Sequence, residues 1–100
     1  MRRMRFPTPD QISLTDVLYA LSDPTRLQIV RMLAEAGEKT CCSFEFSIAK
    51  STLSHHFKVL RDAGVVHTRT EGTQSINSLR WEELEARFPG LLPAILGAIE

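Results

Sequence analysis

Cys41 and Cys42 are neighbours in the chain and are its two cysteines, so any thiol chemistry of this protein must use them. Lys39 lies two residues before Cys41, and a short helix is predicted over about residues 42–46. A nearby lysine and the positive end of a helix both favour the thiolate, the form of cysteine that reacts with peroxide or binds a soft metal ion. The pair is therefore the predicted redox-sensing site.

Oxidation of one thiol gives a sulfenic acid, which the neighbouring thiol can convert into a disulfide. Because adjacent α-carbons lie about 3.8 Å apart, against about 4.4–6.8 Å in ordinary disulfides, such a bridge is strained and readily reduced. Two other interpretations stay open. The pair could bind a thiophilic metal or metalloid with a third ligand from elsewhere, or it could be two reduced core residues of a cytoplasmic protein.

A second group of polar residues lies on one side of a helix predicted over residues 51–63, here called the recognition helix. At about 100° per residue, Leu53, Phe57 and Leu60 share its core face. The opposite face carries hydroxyls, an imidazole and a lysine, a composition suited to DNA phosphates and base edges. His56 is predicted to be a packed or hydrogen-bonded structural residue. The predicted DNA-binding residues here are Lys50, Ser51, Thr52, Ser54, His55 and Lys58.

Residues 65–79 predict a β-hairpin directly after this helix. Two runs rich in β-forming residues flank a turn at residues 71–73. A hairpin in this place is the wing of a winged helix-turn-helix, and its polar tip could reach phosphates or a minor groove. The predicted DNA-binding residues of the wing are Arg69, Thr73 and Gln74.

The charge distribution fits a DNA-binding surface although 12 basic residues balance 12 acidic ones. Residues 50–80 contain five Lys+Arg and two Asp+Glu, whereas residues 81–100 contain one and four. The positive field is therefore predicted to concentrate on the recognition helix and wing. Arg2, Arg3 and Arg5 are predicted either as a basic arm or as a tail without a partner.

The remaining sequence predicts helices that hold these groups in place within one domain of 100 residues. An N-terminal arm is predicted over 1–12 and a first helix over 13–22. A second helix is predicted to begin after Asp23, with Pro24 at its first position, and to end before Gly37. Ser51 and Thr52 suit the start of the recognition helix, Gly64 suits its C-terminal cap, and a further helix is predicted over residues 81–88.

The segment 90–99 is too apolar for a lone surface helix of a monomer. Together with the helix at 13–22 it is predicted to form a two-fold interface, with Leu92 and Leu96 in an apolar seam. A symmetric dimer would present two recognition helices to successive major grooves about 34 Å apart. The alternative is that the segment folds back on its own subunit.

Several classes of protein are excluded by what the chain lacks. No run of about 18 apolar residues could span a membrane, and no signal-peptide core occurs near the start, so the protein is predicted to be cytoplasmic. No GxSxG, HExxH or glycine-rich phosphate loop predicts an enzyme. A winged helix that binds proteins instead of DNA stays an alternative, which charge reversal at Lys58 and Arg69 would separate.

Three stretches, LSDPTRLQIVRMLAEAG at 21–37, STLSHHFKVLRDAGVV at 51–66 and TRTEGTQSINSL at 68–79, together resemble the ArsR/SmtB family of winged helix-turn-helix repressors. The resemblance implies a mainly α fold with a small β-hairpin. It also implies a homodimer that binds an inverted-repeat operator in double-stranded DNA and leaves it when a metal ion, metalloid or oxidant is sensed. By position it implies DNA contacts from Ser51, Thr52, Ser54, His55 and Lys58, and a place in the wing for Arg69 and Gln74.

The departures from the family pattern bear on the inducer. No His or Cys follows His67, so the zinc site that many members hold between their C-terminal helices cannot be assembled in its usual form. Other members bind soft metals through a Cys-x-Cys pair, whereas Cys41 and Cys42 are adjacent. The chain thus resembles the thiol-based redox-sensing members, and we expect oxidation of this pair to release it from DNA. Metal or metalloid sensing by the same cysteines is the alternative; otherwise no cofactor is expected.

Overall fold

The computed structural model describes residues 6–40 and 48–99 and confirms the mainly α fold with a small β-hairpin. The predicted helix near 42–46 and the three N-terminal arginines lie outside the described residues. In chain order the elements are a 3₁₀ turn (Pro9–Gln11), α1 (Leu14–Ala20), α2 (Pro24–Ala36), β1 (Glu38–Thr40), α3 (Lys50–Asp62), β2 (Val66–Glu71), β3 (Gln74–Leu79), α4 (Trp81–Arg87) and α5 (Leu91–Ala98).

The first two helices begin directly after Ser13 and Asp23, close to where the sequence predicts their starts. The Ser13 hydroxyl accepts a hydrogen bond from the backbone N–H of Asp16 at 3.2 Å, and the Asp23 carboxylate accepts one from the N–H of Arg26 at 3.1 Å. These bonds satisfy N–H groups that have no partner inside the helix. Pro24 occupies the first position of α2, and Gly37, with φ of 82°, ends that helix.

Gly64 closes the recognition helix, which is α3 and runs one residue earlier at each end than predicted. The N–H of Gly64 bonds to the carbonyl of Arg61, and the N–H of Val65 to that of Leu60, each at 3.0 Å. This pair of bonds with φ of +85° at Gly64 is a Schellman motif. A Cβ at Gly64 would meet Cγ1 of Ile12 at 2.6 Å, so both the backbone and the space require glycine. The motif fixes the direction in which the chain enters the wing.

The segment predicted as an arm over 1–12 contains fixed structure. Ile12 is 1% exposed within the core, and the side chain of Arg87 donates a hydrogen bond to its carbonyl at 2.6 Å. The ring of Phe6 lies 4.6 Å from that of His67 on β2, measured between centroids. The sequence did not reveal this packing, because an isolated isoleucine among polar residues has no helical or strand periodicity.

The sheet has a third strand that the sequence did not predict. Its order is β1-β3-β2, and both pairings are antiparallel. Glu71 pairs with Gln74, so the wing turn is the two residues Gly72-Thr73, and φ of +63° at Gly72 is the pattern of a type II′ turn. β1 reads Glu-Lys-Thr, without apolar alternation, and its hydrogen bonds to β3 are what make it a strand.

The core is formed by one face of each long helix and by the base of the hairpin. In α5, Leu92 is 1% exposed, and Leu96 packs partly buried against the same core. The prediction that Leu92 lies in a seam between subunits was therefore wrong: an all-apolar helix must bury one side on its own subunit first. Among residues 6–40 and 48–99, the fully or almost fully buried apolar residues are Ile12, Val17, Ala20, Leu21, Ile29, Val30, Leu33, Phe57, Leu60, Ala63, Val65, Val66, Leu84 and Leu92.

Candidate nucleic-acid interface

One face of α3 is exposed along its length. Phe57 and Leu60 are buried and fix the helix to the core, so the opposite side must face solvent. That side presents short hydroxyls and long basic groups, which suits contact with both bases and phosphates of a duplex. The predicted residues Lys50, Ser51, Thr52, Ser54, His55 and Lys58 are all exposed, and together they are called the α3 face below.

The N-terminus of α3 differs from the prediction. Ala49, in extended conformation, is the N-cap and gives no side-chain hydrogen bond, so Ser51 and Thr52 lie within the first turn instead of capping it. The first N–H groups of a helix without a side-chain cap can receive an anionic oxygen, which the helix dipole also favours. Lys50 begins the helix and adds a positive charge at that end. This end of α3 can therefore bind a phosphate.

Lys58 forms an ion pair with Asp62 one turn further along α3. Its Nζ lies 2.7 Å from the carboxylate oxygen, and the two side chains are 64% and 55% exposed. Solvent screens such an exposed pair, and its members exchange partners at little cost. Lys58 is therefore able to leave Asp62 for a phosphate.

The wing places its three predicted residues in two different environments. Thr73 and Gln74 are exposed at the turn. Arg69, by contrast, donates from Nε to Glu71 at 2.9 Å and from both terminal nitrogens to Glu38 on β1, one of them at 3.2 Å. These bonds raise the pKa of Arg69 and lower the pKa of Glu38. The guanidinium already has acidic partners.

The positive charge on the surface of the recognition helix and wing is smaller than the count of charged residues over 50–80 indicated. Arg80 is buried and donates to Glu83 from Nε and Nη2 at 2.9 and 2.8 Å, and this pairing lowers the pKa of Glu83. Burial lowers the pKa of Arg61, which is half-buried. Glu38, from outside residues 50–80, reaches the wing. Among the described residues of the recognition helix and wing, the exposed positive charge thus comes mainly from Lys50 and Lys58.

Arg26 is a buried polar residue that contacts the recognition helix, and the sequence interpretation missed it. It is 7% exposed, and its Nε and Nη2 donate to the carbonyls of Ala20 and Tyr19 at 2.6 and 3.2 Å. Its Nη1 lies 3.1 Å from Nδ1 of His56 on α3. Because a guanidinium has only donors, Nδ1 must accept, and the proton of the neutral ring lies on Nε2. The prediction that His56 is hydrogen-bonded and structural is confirmed.

This arginine connects the C-terminal end of α1 with the middle of the recognition helix. His56 directly follows His55 of the α3 face in the chain, so the bond anchors α3 next to a predicted DNA-binding residue. A signal was present in the sequence: Arg26 precedes Ile29 and Val30 by three and four residues, which puts it on the buried stripe of α2. Its partner is 30 residues away and could not be read from spacing.

The cysteine pair lies outside the described residues, in the segment between Thr40, the last residue of β1, and Ile48. Within residues 6–40 and 48–99, no group of three or more His, Cys, Asp or Glu side chains could hold a metal ion. In those same ranges no helix has the length and apolar character needed to cross a membrane.

Two crystal structures share this fold. An ArsR-family transcriptional regulator superposes with a TM-score of 0.68 at 25% sequence identity, over 81% of this chain and 90% of its own. The transcriptional repressor BigR from Xylella fastidiosa superposes with a TM-score of 0.61 at 32% identity, over 75% of this chain and 85% of its own. The winged helix-turn-helix is therefore confirmed.

The amino-acid sequence is also similar to known regulatory proteins, over most of the chain that these structures cover. A family model described as "Bacterial regulatory protein, arsR family" matches residues 23–68, from the N-cap of α2 into β2. The HTH-type transcriptional regulator YceK of Bacillus subtilis (strain 168) is 37% identical over 89 residues, which are 86% of this chain and 88% of that protein. The arsenical resistance operon repressor of Staphylococcus xylosus is 39% identical over 74 residues, 72% of this chain and 70% of its own length.

Proposed function

We propose that this chain, which belongs to the arsR family of bacterial regulatory proteins, represses transcription by holding the α3 face in the major groove of operator DNA. Its family members are transcriptional regulators and not enzymes. The observation that carries the proposal is the exposed α3 face itself, with six polar residues beside an uncapped helix N-terminus. Binding operator DNA places the protein in the cytoplasm.

Under this proposal the members of the α3 face have different tasks. Lys50 and Lys58 contact phosphates, which fixes the position of the helix on the duplex without reading sequence. Ser51, Thr52, Ser54 and His55 carry the donors and acceptors that can meet base edges. Thr73 and Gln74 at the wing turn reach the neighbouring backbone.

This division of tasks can be tested on a duplex enriched by selection from random sequences. Ser54→Ala and His55→Ala are each expected to weaken binding to that duplex by about 1–3 kcal/mol, while binding to random duplexes stays close to that of the wild type, because a lost base contact costs specificity. Fluorescence anisotropy measures both affinities. Lys58→Gln is the matched control and should weaken both. Equal losses on both duplexes for Ser54→Ala would assign this residue to the backbone.

We also propose that the protein binds its operator as a homodimer on an inverted repeat. On α1, Leu14, Leu18 and Tyr19 are exposed, which is unusual for three large apolar groups on a seven-residue helix. Beside them runs a groove of about 510 Å³ between α1, α2 and α5. A second copy would cover both features. The residues that line the groove are Leu18, Leu21, Pro24, Leu27, Gln28, Ile95, Ala98 and Ile99.

The proposed signal is oxidation of Cys41 and Cys42 by a peroxide. One thiolate attacks a peroxide oxygen, the O–O bond breaks, and hydroxide leaves, so that the sulfur becomes a sulfenic acid. The neighbouring thiolate then attacks that sulfur, an S–S bond forms, and a second hydroxide leaves. The two thiol protons convert both hydroxides into water. The peroxide gains two electrons, and the two thiols lose them.

The position of the pair in the chain supports this proposal. Thr40 ends β1, which is hydrogen-bonded to the wing, and Lys50 begins α3. The cysteines therefore lie on the connection between α3 and β1, the strand that is paired with the wing. A strained bridge at residues 41 and 42 would act on both of them, and a change at such a connection can shift an equilibrium between binding and non-binding arrangements.

Peroxide is expected to weaken the affinity of the wild-type protein for its selected duplex by about tenfold or more, a usual size for coupling between sites. A thiol reductant should restore binding. Cys41→Ser and Cys42→Ser should both stay bound, because ring closure requires both sulfurs, and neither should alter binding in reducing buffer. Anisotropy gives the affinities, and loss of two hydrogen atoms in the mass spectrum identifies the disulfide. Release of the double serine variant by peroxide would refute this mechanism.

The relative named arsenical resistance operon repressor favours a second candidate inducer, a thiophilic metal or metalloid. Cys41 and Cys42 would supply two thiolates, and a third ligand would have to come from elsewhere in the dimer. Arsenite added under reducing conditions separates the two candidates. Release by arsenite but not by peroxide, with arsenic bound in stoichiometric amount, would assign the pair as a ligand set.

A further inference from the structure

The guanidinium of Arg69 is held by two carboxylates from different strands. Glu71 lies on the same strand and accepts from Nε, while Glu38 lies across β3 on β1 and accepts from both terminal nitrogens. Glu38 thereby takes the end-on, two-bond position that a phosphate takes on an arginine. The three side chains are called the wing charge cluster below.

The wing charge cluster carries one positive and two negative groups, so its net charge is negative. A DNA phosphate that approaches the wing therefore meets two carboxylates and an arginine whose main donors are in use. The side chains of Arg69, Glu38 and Glu71 are 41%, 49% and 59% exposed, which leaves both ion pairs open to screening by salt. The contacts are therefore exchangeable.

We propose that Glu38 and Glu71 act as intramolecular phosphate mimics that hold Arg69 away from DNA and so limit the affinity of the wing for any duplex. The inference rests on the proposed DNA-binding function. It assigns Glu38, a residue of β1 outside both the recognition helix and the hairpin, a part in setting operator affinity. Full engagement of the wing requires Arg69 to exchange a carboxylate for a phosphate.

The test measures binding of a random duplex by anisotropy across a series of salt concentrations. Glu38→Gln is expected to gain about tenfold in affinity per protomer at about 0.1 M salt, with a steeper salt dependence, because each phosphate gained adds about 0.9 to the slope. Glu71→Gln should change affinity in the same direction. The double variant Glu38→Gln with Arg69→Gln should lose the gain, because it removes the group that is released.

Two controls keep the outcome decisive. Glu82→Gln also removes one negative charge, but Glu82 lies on α4, just after the end of β3 that is far from the wing turn. This variant should bind with an affinity close to that of the wild type. Circular dichroism and the melting temperature of each variant show that the fold is retained. Unchanged or weaker binding by folded Glu38→Gln would overturn the inference, as would a gain that persists without Arg69. If the wild type bound no duplex at all, the proposed function itself would fail.

Discussion

The Leu18→Asp protein is expected to be a folded monomer whose affinity for the selected inverted-repeat duplex is about 10²–10³-fold below that of the wild type. Leu18 is 46% exposed and lines the groove beside α5, so an aspartate there remains hydrated in the monomer. In a dimer the same carboxylate would be buried without a partner, which is strongly unfavourable. When the dimer is lost, each protomer binds its half-site independently. The extra affinity that comes from joining two DNA-binding protomers is then lost. Sedimentation velocity gives the mass, and anisotropy gives the affinity.

Two comparisons make this result specific. Leu92→Asp should not yield a folded monomer, because Leu92 is buried in the core of its own subunit and the substitution should unfold it. Binding of Leu18→Asp to a single half-site should equal that of a wild-type protomer, since the α3 face is intact. If folded Leu18→Asp sediments as a dimer, the interface lies on another surface.

Lys58→Glu is expected to reduce affinity for every duplex by about 50–100-fold. Each phosphate contact contributes about 0.9 to the slope of log affinity against log salt, so at about 0.1 M salt the loss of one contact per protomer lowers a dimer's affinity by almost two log units. Repulsion by the new carboxylate adds to this. The expected signature is a flatter salt dependence with unchanged sequence preference, measured by anisotropy on selected and random duplexes.

Asp62→Asn provides the opposite change within the same ion pair. It frees Lys58 from the carboxylate 2.7 Å away and removes one negative charge beside it, so binding should become a few times tighter. Both side chains are exposed, and both variants should remain folded. Wild-type affinity in folded Lys58→Glu would remove this lysine from the interface and would favour a winged helix that binds a protein.

The parts of the fold that the sequence predicts well are those with local causes. Ser13, Asp23 and Gly64 each satisfy or direct backbone groups within a few residues, so their effect is visible in the spacing of the chain. The exposed α3 face follows in the same way, because a helix that buries Phe57 and Leu60 must expose the residues opposite.

The parts that the sequence does not predict depend on partners far along the chain. Arg26 meets His56 across 30 positions, and Arg69 meets Glu38 across 31. No periodicity indicates either contact. The place of Arg69 in the wing predicts a DNA contact, and the spacing of the chain could not show that Glu38 pairs with it. β1 is similar: its three residues have no strand pattern of their own and are ordered by β3.

Leu92 shows a different limit. An apolar helix at the end of a small domain has more hydrophobic surface than one partner covers, and composition does not say which side turns inward. The structure turns Leu92 inward and leaves a groove edged by Ile95 and Ile99. The dimer proposal therefore depends on residues of α1 and the outer side of α5.

Hydroxyl-radical footprinting of the selected duplex tests most directly whether the α3 face binds operator DNA. Wild-type dimer should protect two segments on one side of the duplex, with centres about 10–10.5 base pairs apart, which places two copies of α3 in successive major grooves. Lys58→Glu at the same concentration should leave the duplex unprotected. A folded wild-type protein that protects no segment at low salt, where phosphate contacts are strongest, would contradict a function in DNA binding.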